Sequence, residues 1–240
     1  MKPIENNPGA VVLVSGGIDS AACLGIACQE YETVVPIHLY YGQQTGPMER
    51  EMASRQVTHF SQMYEGETEV RGLNILDYTG IFSHFPDGVA DPDKEFGHLV
   101  EDDGRSSGYV PMRNLHLIAT GAGVADYTGA QAVYIGVQAG DEPDYPDCRW
   151  QFIAAAQNAV NNSIPDGQEI LVASPLQNMS KVEVIRYADE LGVDFRWTYS
   201  CYAGADERGF AGPCGDCPAC HERIEAFNEA DIEDPHMPNQ

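Results

Sequence analysis

The residues best placed to do chemistry form one hexapeptide near the amino end, residues 15–20, which reads Ser-Gly-Gly-Ile-Asp-Ser. It follows the apolar run of residues 11–14 and precedes a stretch of helical character, so its glycines predict a sharp turn between strand and helix. A helix that begins there presents unpaired N–H groups and a partial positive charge to an anion. Ser15 and Ser20 add hydroxyl donors, and Asp19 is suited to holding Mg²⁺ against phosphate oxygens. We predict a phosphate-binding loop, with an ordinary strand-to-helix turn as the alternative.

The spacing within residues 15–20 distinguishes this loop from two common phosphate loops. The Walker A loop has four residues between its glycines and ends in Lys followed by Ser or Thr, and the dinucleotide turn reads Gly-x-Gly-x-x-Gly. Neither pattern fits, because the two glycines here are adjacent. The sequence therefore predicts a triphosphate cleft of another kind.

A second chemical signal is a group of four cysteines near the carboxyl end, Cys201, Cys214, Cys217 and Cys220. The last three are separated by gaps of two residues, and four thiolates satisfy the closed tetrahedral coordination of a structural Zn²⁺ ion. Disulfide bonds are disfavoured because we expect an intracellular chain, and an iron–sulfur cluster is the remaining alternative. We predict one structural zinc ion per chain, with His221 as a surface residue.

Two further clusters lie between these motifs and are predicted to form pocket walls. Residues 109–114, Tyr-Val-Pro-Met-Arg-Asn, place a guanidinium and an amide at the start of a helix, where they suit a planar anion or the edge of a nucleobase. Residues 141–149 follow a predicted strand and mix acids, an aromatic ring and a guanidinium. The alternative for each cluster is a structural turn that carries surface charge. Their positions at predicted strand ends favour the binding role.

The elements that must position these residues read as alternating strands and helices. Besides a helix directly after the hexapeptide, periodicity predicts helices at residues 48–64, 115–127, 150–161 and 181–191. Apolar runs predict strands at residues 11–14, 34–40, 67–76, 132–137 and 169–173. This alternation predicts the α/β class, with a parallel five-stranded sheet flanked by helices. Ligands of such sheets bind at the carboxyl ends of the strands, where the hexapeptide lies.

Two stretches fit no regular element. Residues 77–108 are rich in Gly, Pro and Asp, which predicts a long irregular loop with a role as a lid over the site. The acidic residues 228–240 predict a frayed tail at the end of the chain.

The overall charge narrows the classes of partner. The formal net charge is −24 at pH 7, from 13 Lys and Arg against 37 Asp and Glu. Such a surface repels nucleic acid and anionic lipid, and no basic cluster offsets it, so we expect direct binding to neither. Self-repulsion of this size destabilises a compact state unless dense salt screens it, which predicts a cell with a salt-loaded cytoplasm. We find neither a long apolar run nor a signal peptide, and therefore expect no membrane span and a cytoplasmic location.

The motifs together resemble those of the ATP pyrophosphatase, or PP-loop, superfamily. Residues 15–20 are similar to its Ser-Gly-Gly-x-Asp-Ser loop. The superfamily's second phosphate motif is resembled by Pro175-Leu176 followed by Lys181, Glu183, Val184 and Arg186. Within the superfamily, nearly the whole chain resembles the 7-cyano-7-deazaguanine (preQ0) synthases. That closer resemblance is carried by residues 41–43, 109–111, 113–114, 136–137, 145–149, 201–202, 214–215, 217 and 220.

The resemblance implies a fold, an activity and partners. The fold is that of the adenine nucleotide alpha hydrolases, which is Rossmann-like, with an ATP-binding PP-loop domain at residues 1–195 and a zinc-binding segment and tail at residues 196–240. The activity is that of a ligase, which converts 7-carboxy-7-deazaguanine and ammonia to the nitrile at the expense of ATP, through adenylated intermediates. The pathway ends in queuosine or archaeosine. The family resemblance also implies a homodimer.

The resemblance assigns individual residues to roles as well. Zinc ligation is expected of the four cysteines, and Mg²⁺ is expected to accompany the nucleotide. Catalytic roles are expected of Asp19, Lys181 and Arg113. Binding of the deazaguanine substrate is expected of Arg113, Asn114, Tyr145, Asp147 and Arg149. ATP binding is expected of Val14, Ser15, Gly16, Gly17, Ile18, Asp19, Ser20, Ala21, Ala22, Cys23 and Leu24.

Two other functions share parts of this pattern. A tRNA thiolase or an ammonia-using amide synthetase of the same superfamily would carry both phosphate motifs. A thiolase, however, needs catalytic cysteines near the cleft and a basic tRNA surface, neither of which we find in the sequence. A non-enzymatic chain would use the zinc segment as an interaction module on a nucleotide-binding scaffold. Formation of AMP and pyrophosphate only in the presence of substrate and ammonia would identify the enzyme.

Overall fold

The apolar run near the amino end forms the central strand of a parallel sheet. The computed structural model describes residues 8–84, 106, 108–202 and 213–236. Strand β1 (Gly9–Leu13) is buried at every position and pairs with β2 (Thr33–Tyr40) on one side and β5 (Ala132–Tyr134) on the other. A strand that is apolar along its whole length, without alternation, is typical of a parallel sheet covered on both faces.

The remaining strands extend the sheet outward on each side. Strand β6 (Leu171–Ala173) pairs with β5, and both β3 (Glu69–Val70) and β4 (Asn74–Asp77) pair with β2, all in parallel. The order is β3-β2-β1-β5-β6, with β4 continuing the outer position beside β2. The predicted α/β fold with five strand positions is confirmed, and its order is that of a doubly wound sheet.

The single strand predicted over residues 67–76 is in fact two short strands. Val34 of β2 pairs with Val70, whereas Ile37 pairs with Asn74, so the outer chain contains one extra residue across this interval. Pro36 lies opposite the break and has no N–H to donate. The Asn74 side chain instead donates to the Pro36 carbonyl oxygen at 3.4 Å.

Helices cover both faces of the sheet. One face carries α1 (Ile18–Glu30), α2 (Gly46–Met63), α6 (Lys181–Glu190) and α7 (Pro218–Ala230), which share one hydrophobic core. The other face carries α4 (Arg113–Thr128) and α5 (Trp150–Asn161), which form a second core with the sheet. A four-residue helix, α3 (Thr79–Phe82), follows β4. No helix within the described residues is long and apolar enough to cross a membrane.

The prediction of a frayed tail over residues 228–240 is wrong for its described part. Residues 228–230 complete α7, and Asp234 is 5% exposed because it forms an ion pair with Arg223. Arg223 Nε and Nη2 donate to the two Asp234 carboxylate oxygens at 2.6 and 2.9 Å. This bidentate pair fixes the segment after the helix against its core. Residues 237–240 lie outside the described residues.

The other irregular stretch is only partly described. The predicted loop over residues 77–108 begins with the last residue of β4 and with α3, which the sequence did not indicate. Residues 85–105 and 107, on which the predicted lid depends, lie outside the described residues. The predicted division into two domains at residue 195 stays a prediction. Ala226, Phe227 and Ala230 of α7 pack in the same core as α1 and α6.

Candidate active site

A cavity of about 270 Å³ opens at the carboxyl ends of β1, β2 and β5. The connections that leave β1 and β5 run to opposite faces of the sheet, since α1 covers one face and α5 the other. In an open parallel sheet this switch point is where ligands bind. The predicted phosphate loop, the start of α4 and the start of α6 all reach the cavity, through Ser15, Gly17, Arg113 and Lys181.

The loop after β1 makes the predicted turn. Gly16 has φ +87°, and a Cβ atom there would lie 2.5 Å from the Glu49 carbonyl oxygen, so both the conformation and the space require glycine. Helix α1 begins at Ile18 without a side-chain cap, which leaves its first N–H groups for another acceptor. The Ser20 hydroxyl donates to the Gly17 carbonyl oxygen and accepts from the Ser15 N–H at 3.2 Å, and thus closes the loop from below.

Two contacts from distant segments brace this loop. The Gln56 side chain on α2 donates to the Gly16 carbonyl oxygen at 3.0 Å and to that of Trp197 at 2.7 Å. The backbone N–H of Tyr199 donates to the same Gly16 oxygen at 2.9 Å. The loop is therefore held between α2 and the segment that leads to Cys201.

The predicted ATP-binding run divides into two parts. Val14, Ser15, Gly17, Ile18, Asp19 and Ser20 line the cavity, whereas Gly16 packs against α2. The side chains of Ala21, Ala22, Cys23 and Leu24 are fully buried in α1 and pack in the core. Gly136, after β5, closes on the first turn of α1. A Cβ atom there would lie 2.9 Å from the Asp19 carbonyl carbon.

Asp19 and Lys181, both predicted to be catalytic, meet in the cavity. Lys181 Nζ donates to both Asp19 carboxylate oxygens, at 2.7 and 3.0 Å. A reciprocal cap between Ser180 and Glu183 sets the start of α6 and hence the position of the lysine. Burial lowers the pKa of Lys181, but the carboxylates of Asp19 and Glu222 outweigh burial and raise it. Lys181 is therefore a cation in this site.

Arg113 forms the opposite wall of the cavity. It is the first residue of α4, its guanidinium carbon lies 5.9 Å from the centre of the Tyr145 ring, and its charge lies close to the Tyr41 phenol. Burial raises the pKa of Tyr41 to about 12, so this phenol stays protonated. A half-buried guanidinium between two aromatic rings suits a carboxylate or phosphate oxygen.

The predicted substrate residues that follow along the chain have mixed placements. Asn114 N–H donates to Asp147 Oδ2 at 2.9 Å, so Asp147 caps the start of α4. The Asn114 amide donates to the Asp147 carbonyl oxygen at 3.0 Å and to Cys148 Sγ at 3.2 Å. Arg149 is exposed and donates to the Glu142 carbonyl oxygen at 3.1 Å. Neither Arg149 nor the predicted substrate residues Tyr145 and Asp147 are among the residues that line the cavity. Burial raises the pKa of Cys148 to about 12, which disfavours a nucleophilic thiolate.

The four predicted metal ligands converge in a separate site. The Sγ atoms of Cys201, Cys214, Cys217 and Cys220 all lie within 4.8 Å of one another, and two of the pairs are 3.9 Å apart. Four sulfur ligands at about 2.3 Å from a zinc ion stand about 3.8 Å apart. Backbone N–H groups point at these sulfurs, among them Cys214 N–H to Cys201 Sγ and Cys217 N–H to Cys214 Sγ, both at 3.3 Å. The arrangement fits a tetrahedral metal ion held by thiolates.

Comparison with known proteins agrees with this architecture. The profile of the family described as "Queuosine biosynthesis protein QueC" matches residues 9–231. The chain belongs to this family. The predicted family relationship is thereby confirmed. Relatives called 7-cyano-7-deazaguanine synthase include that of Methanoculleus marisnigri, 37% identical over 94% of this chain and 96% of the relative. That of Persephonella marina is 34% identical over 97% of each chain.

Solved structures similar to this QueC family member were also found. One is a 4-thiouridine synthetase in an RNA complex with bound ATP, with TM-score 0.47 and 18% identity, covering 93% of this chain and 50% of that chain. Another is NMN synthetase from Francisella tularensis, with TM-score 0.48 and 15% identity, covering 94% of this chain and 86% of that chain.

The structure adds residues to this QueC site that the sequence did not single out. Asp141 and Glu222 line the same cavity as Lys181, and Gln56 braces the loop from outside it. Burial and the nearby Asp19 carboxylate raise the pKa of Asp141 to about 6. Asp141 lies within the predicted cluster 141–149, but its type alone does not separate it from Asp144 or Asp147.

Proposed function

We propose that this protein converts 7-carboxy-7-deazaguanine and ammonia to 7-cyano-7-deazaguanine (preQ0) at the expense of ATP, through adenylated intermediates. The observation that carries the proposal is the family match over residues 9–231, in which relatives that share 34–37% of their residues over most of both chains bear the name of this synthase. The cavity supports it, because a phosphate loop, a lysine and an arginine surround one space.

Adenylation explains how such a site makes a nitrile from a carboxylate. A carboxylate is a poor electrophile because its leaving group would be oxide. Transfer of AMP to one of its oxygens creates a phosphate-type leaving group, and ammonia then displaces AMP to give the amide. A second transfer of AMP, to the amide oxygen, allows that oxygen to leave and the nitrile to form. Two ATP molecules are used per product, and the protein contributes positioning and charge stabilisation.

The nucleotide belongs at the loop after β1. The uncapped start of α1 and residues 14–20 suit the pyrophosphate portion of ATP, and Asp19 suits the accompanying Mg²⁺ ion. Lys181, which pairs with Asp19 in the structure, would turn to the α- and β-phosphates and stabilise the charge that develops as pyrophosphate leaves. Binding of the nucleotide would therefore separate the pair. Asp19 would then contact the metal ion, and Lys181 would contact the phosphates.

The substrate belongs at the opposite wall. Arg113 suits the substrate carboxylate because it is cationic, half-buried and held by Tyr41 and Tyr145. Asn114, Tyr145 and Asp147 lie around this arginine and would form the wall behind the deazaguanine ring. A role for Arg149 requires that its exposed side chain turn inward.

The four-cysteine site suits a structural zinc ion. All four positions are sulfur ligands, which leaves no open position for water, and a closed site of this kind stabilises a fold rather than taking part in a reaction. We expect one zinc per chain by elemental analysis, and a Cys217→Ala variant to lose it. Cys28→Ala, which removes a buried cysteine from the core, should keep it. Iron in the purified protein with an absorbance band of a cluster would contradict zinc.

The proposed function includes an assembly state, a location in the cell and a pathway. No disulfide bond joins any two of the seven cysteines, all of which lie within the described residues, as expected in a reducing cytoplasm. We propose a homodimer, and a pathway that ends in queuosine or archaeosine. Sedimentation of the holoprotein tests the first point, and nucleoside analysis of tRNA from the source cell tests the second.

The decisive experiment identifies the product. The purified protein is incubated with ATP, Mg²⁺, ammonium chloride and 7-carboxy-7-deazaguanine, and products are followed by mass spectrometry. We expect the nitrile to accumulate together with two AMP and two pyrophosphate per molecule. AMP formation without the carboxylate substrate, or release of ADP, would contradict the proposed reaction.

A further inference from the structure

The proposed reaction requires a proton acceptor in the cavity, because the nitrogen of ammonia must lose all three of its protons before it becomes a nitrile nitrogen. One proton leaves when ammonia adds to the adenylated acid, and two leave when the adenylated amide collapses. We propose that the carboxylate of Asp141 accepts these protons. This inference rests on the proposed function and adds a catalytic residue to it.

The position of Asp141 is fixed by the turn that follows β5. Its Oδ2 atom accepts the Gln138 N–H at 3.0 Å, and the Gln138 side chain accepts the Gly140 N–H at 2.8 Å in return. The Ala139 N–H donates to the Met179 carbonyl oxygen at 3.0 Å, which ties the turn to the segment before α6. Asp141 therefore faces the cavity beside Asp19 and Lys181. No described residue donates a hydrogen bond to its other oxygen, Oδ1.

The charges around Asp141 keep it available for protons. Burial disfavours its anion, and the neighbouring Asp19 carboxylate disfavours it further, so its pKa rises to about 6. Lys181 partly offsets this rise. A carboxylate of this kind is still ionised at neutral pH but is a stronger base than an exposed aspartate, as a general base requires.

The other groups that line the cavity are less suited to this role. Both oxygens of Asp19 accept hydrogen bonds from Lys181. Glu49 is held by Gln43 at 2.8 Å and by Thr45 at 2.5 Å. His38 Nδ1 donates to the Val14 carbonyl oxygen at 2.8 Å, so the basic lone pair of the ring is on Nε2, and that atom is fully buried.

The remaining groups hold their own protons or lie at the rim. Burial raises the pKa of Cys148 to about 12, and it also raises to about 12 the pKa of Tyr41, which lies beside Arg113 outside the cavity lining. These side chains are therefore protonated at neutral pH and cannot act as bases. Glu222 is exposed and accepts from the Gln138 amide at 3.3 Å. Glu222 is therefore the alternative candidate for the general base.

Proton loss accompanies the departure of AMP in both half-reactions. The lone pair of ammonia forms the C–N bond, the C–O bond to AMP breaks, and AMP leaves with that electron pair. The nitrogen then carries a positive charge and passes one proton to Asp141. In the second half, the nitrogen lone pair forms a C=N bond as the amide oxygen takes up AMP. One N–H electron pair then becomes the nitrogen lone pair and the other becomes the third C–N bond, as AMP leaves with the C–O electron pair and the two protons leave. Asp141 returns each proton to solvent between steps.

The test uses the full-length holoprotein with the isosteric variant Asp141→Asn. The amide oxygen of the new side chain can still accept the Gln138 N–H, so the turn is retained. Asp144→Asn is the matched control, because Asp144 is an exposed acid three residues further along the same loop. Three rates are measured: carboxylate-dependent exchange of pyrophosphate into ATP without ammonia, amide formation with ammonia, and nitrile formation that starts from the amide.

We expect Asp141→Asn to exchange pyrophosphate at the wild-type rate but to form the amide and the nitrile about 100-fold or more slowly, as for loss of a general base. The control should keep all three rates. Hydroxylamine is less basic than ammonia, so its adduct should lose its proton more readily to water and shrink the defect in the first half-reaction. Absence of exchange in the wild-type protein would count against the proposed function itself.

Several outcomes would overturn the role of Asp141 while leaving the proposed function intact. If Asp141→Asn loses pyrophosphate exchange in proportion, the residue acts in adenylation. If it is slow with ammonia but normal from the amide, the residue binds ammonium and takes no proton. If Glu222→Gln shows the selective loss instead, the rim carboxylate is the base. Wild-type rates in all three assays would likewise overturn it.

Discussion

At the scale of single residues, the cavity is governed by a few opposite charges that hold each other in place. The Asp19–Lys181 pair joins the loop after β1 to the start of α6, and its side chains are only 22% and 14% exposed. Removing either partner of such a partly buried pair lowers stability, because the remaining charge is left without compensation. Nucleotide and Mg²⁺ would supply new partners for both.

Loss of the lysine should stop adenylation rather than unfold the protein. We expect Lys181→Met to lower carboxylate-dependent pyrophosphate exchange about 100-fold or more, because the charge that develops on the leaving pyrophosphate loses its nearest cation. The matched control is Arg196→Met, which also removes the cation of an aspartate pair but at a side chain that is 68% exposed. Equal losses in the two variants would contradict the role of Lys181.

Gly16 and Gly66 have the same φ but different surroundings, so substituting each one separates the cost of backbone strain from the cost of steric crowding. We expect Gly66→Ala, at φ +87° with open space around it, to cost about 1 kcal/mol in the free energy of unfolding. Gly16→Ala has the same φ but places a methyl group against the Glu49 carbonyl, and should cost more and weaken ATP binding. Urea unfolding and calorimetric titration with a non-hydrolysable ATP analogue measure the two effects. Unchanged nucleotide affinity in Gly16→Ala would show that the loop does not grip the nucleotide.

At the scale of elements, the segment of residues 197–201 connects the two candidate sites. Tyr199 and the carbonyl of Trp197 contact the loop after β1 directly or through Gln56, and Cys201 two residues later is a predicted metal ligand. The segment is fixed from α7, because Arg223 donates to Thr198 at 3.0 Å and to Ser200 at 3.3 Å. The cysteine site is thereby attached to the wall of the cavity.

Because of these contacts, we expect Arg223 to contribute to the stability of the folded protein. Arg223→Met should reduce the free energy of unfolding by about 3–5 kcal/mol, because it leaves the buried Asp234 carboxylate without its cation. The double variant Arg223→Met with Asp234→Leu removes both charges and should recover much of that loss. Urea unfolding of the zinc-loaded protein measures both. A double variant as unstable as the single one would mean that packing of the arginine, not its charge, is what matters.

At the scale of the whole molecule, the excess of 37 acidic over 13 basic side chains opposes compaction. Three of the 13 cations are turned away from the surface: Lys181 and Arg113 face the cavity, and Arg223 is 2% exposed in its ion pair. Acidic side chains on the surface repel one another, and salt in the medium screens that repulsion. Both ATP and the carboxylate substrate are anions and meet the same field.

Stability should therefore rise steeply with salt. We expect the midpoint of thermal unfolding to increase with potassium chloride up to molar concentrations, where the screening length falls to about 3 Å. Sucrose at the same osmolarity is the control, because it is excluded from the surface but screens no charge. The Michaelis constant for ATP should also fall as salt rises. Full stability and activity in dilute buffer would contradict the expected salt-adapted surface.

Features that depend on local sequence were predicted correctly. Adjacent glycines after an apolar run determine a sharp turn into α1, unbroken apolar runs predict strands buried on both faces, and two-residue gaps bring thiolates together. Local patterns gave a wrong prediction where burial of an ion-pair partner decides the structure. The acidic residues after 228 read as a tail because the sequence does not show that Arg223 is buried beside Asp234.

The α/β fold class, the sharp turn after β1 and the convergence of the four cysteines could be predicted from the sequence, because each depends on residues that are neighbours along the chain. The acids that face Lys181, the contacts that brace the loop, and the position of Arg149 outside the cavity lining became apparent only in the folded protein. The lysine and Asp19 are 162 residues apart, and Gln56 and Trp197 are 141 apart. Contacts over such separations follow from the order of the strands and the packing of helices, which no local pattern encodes.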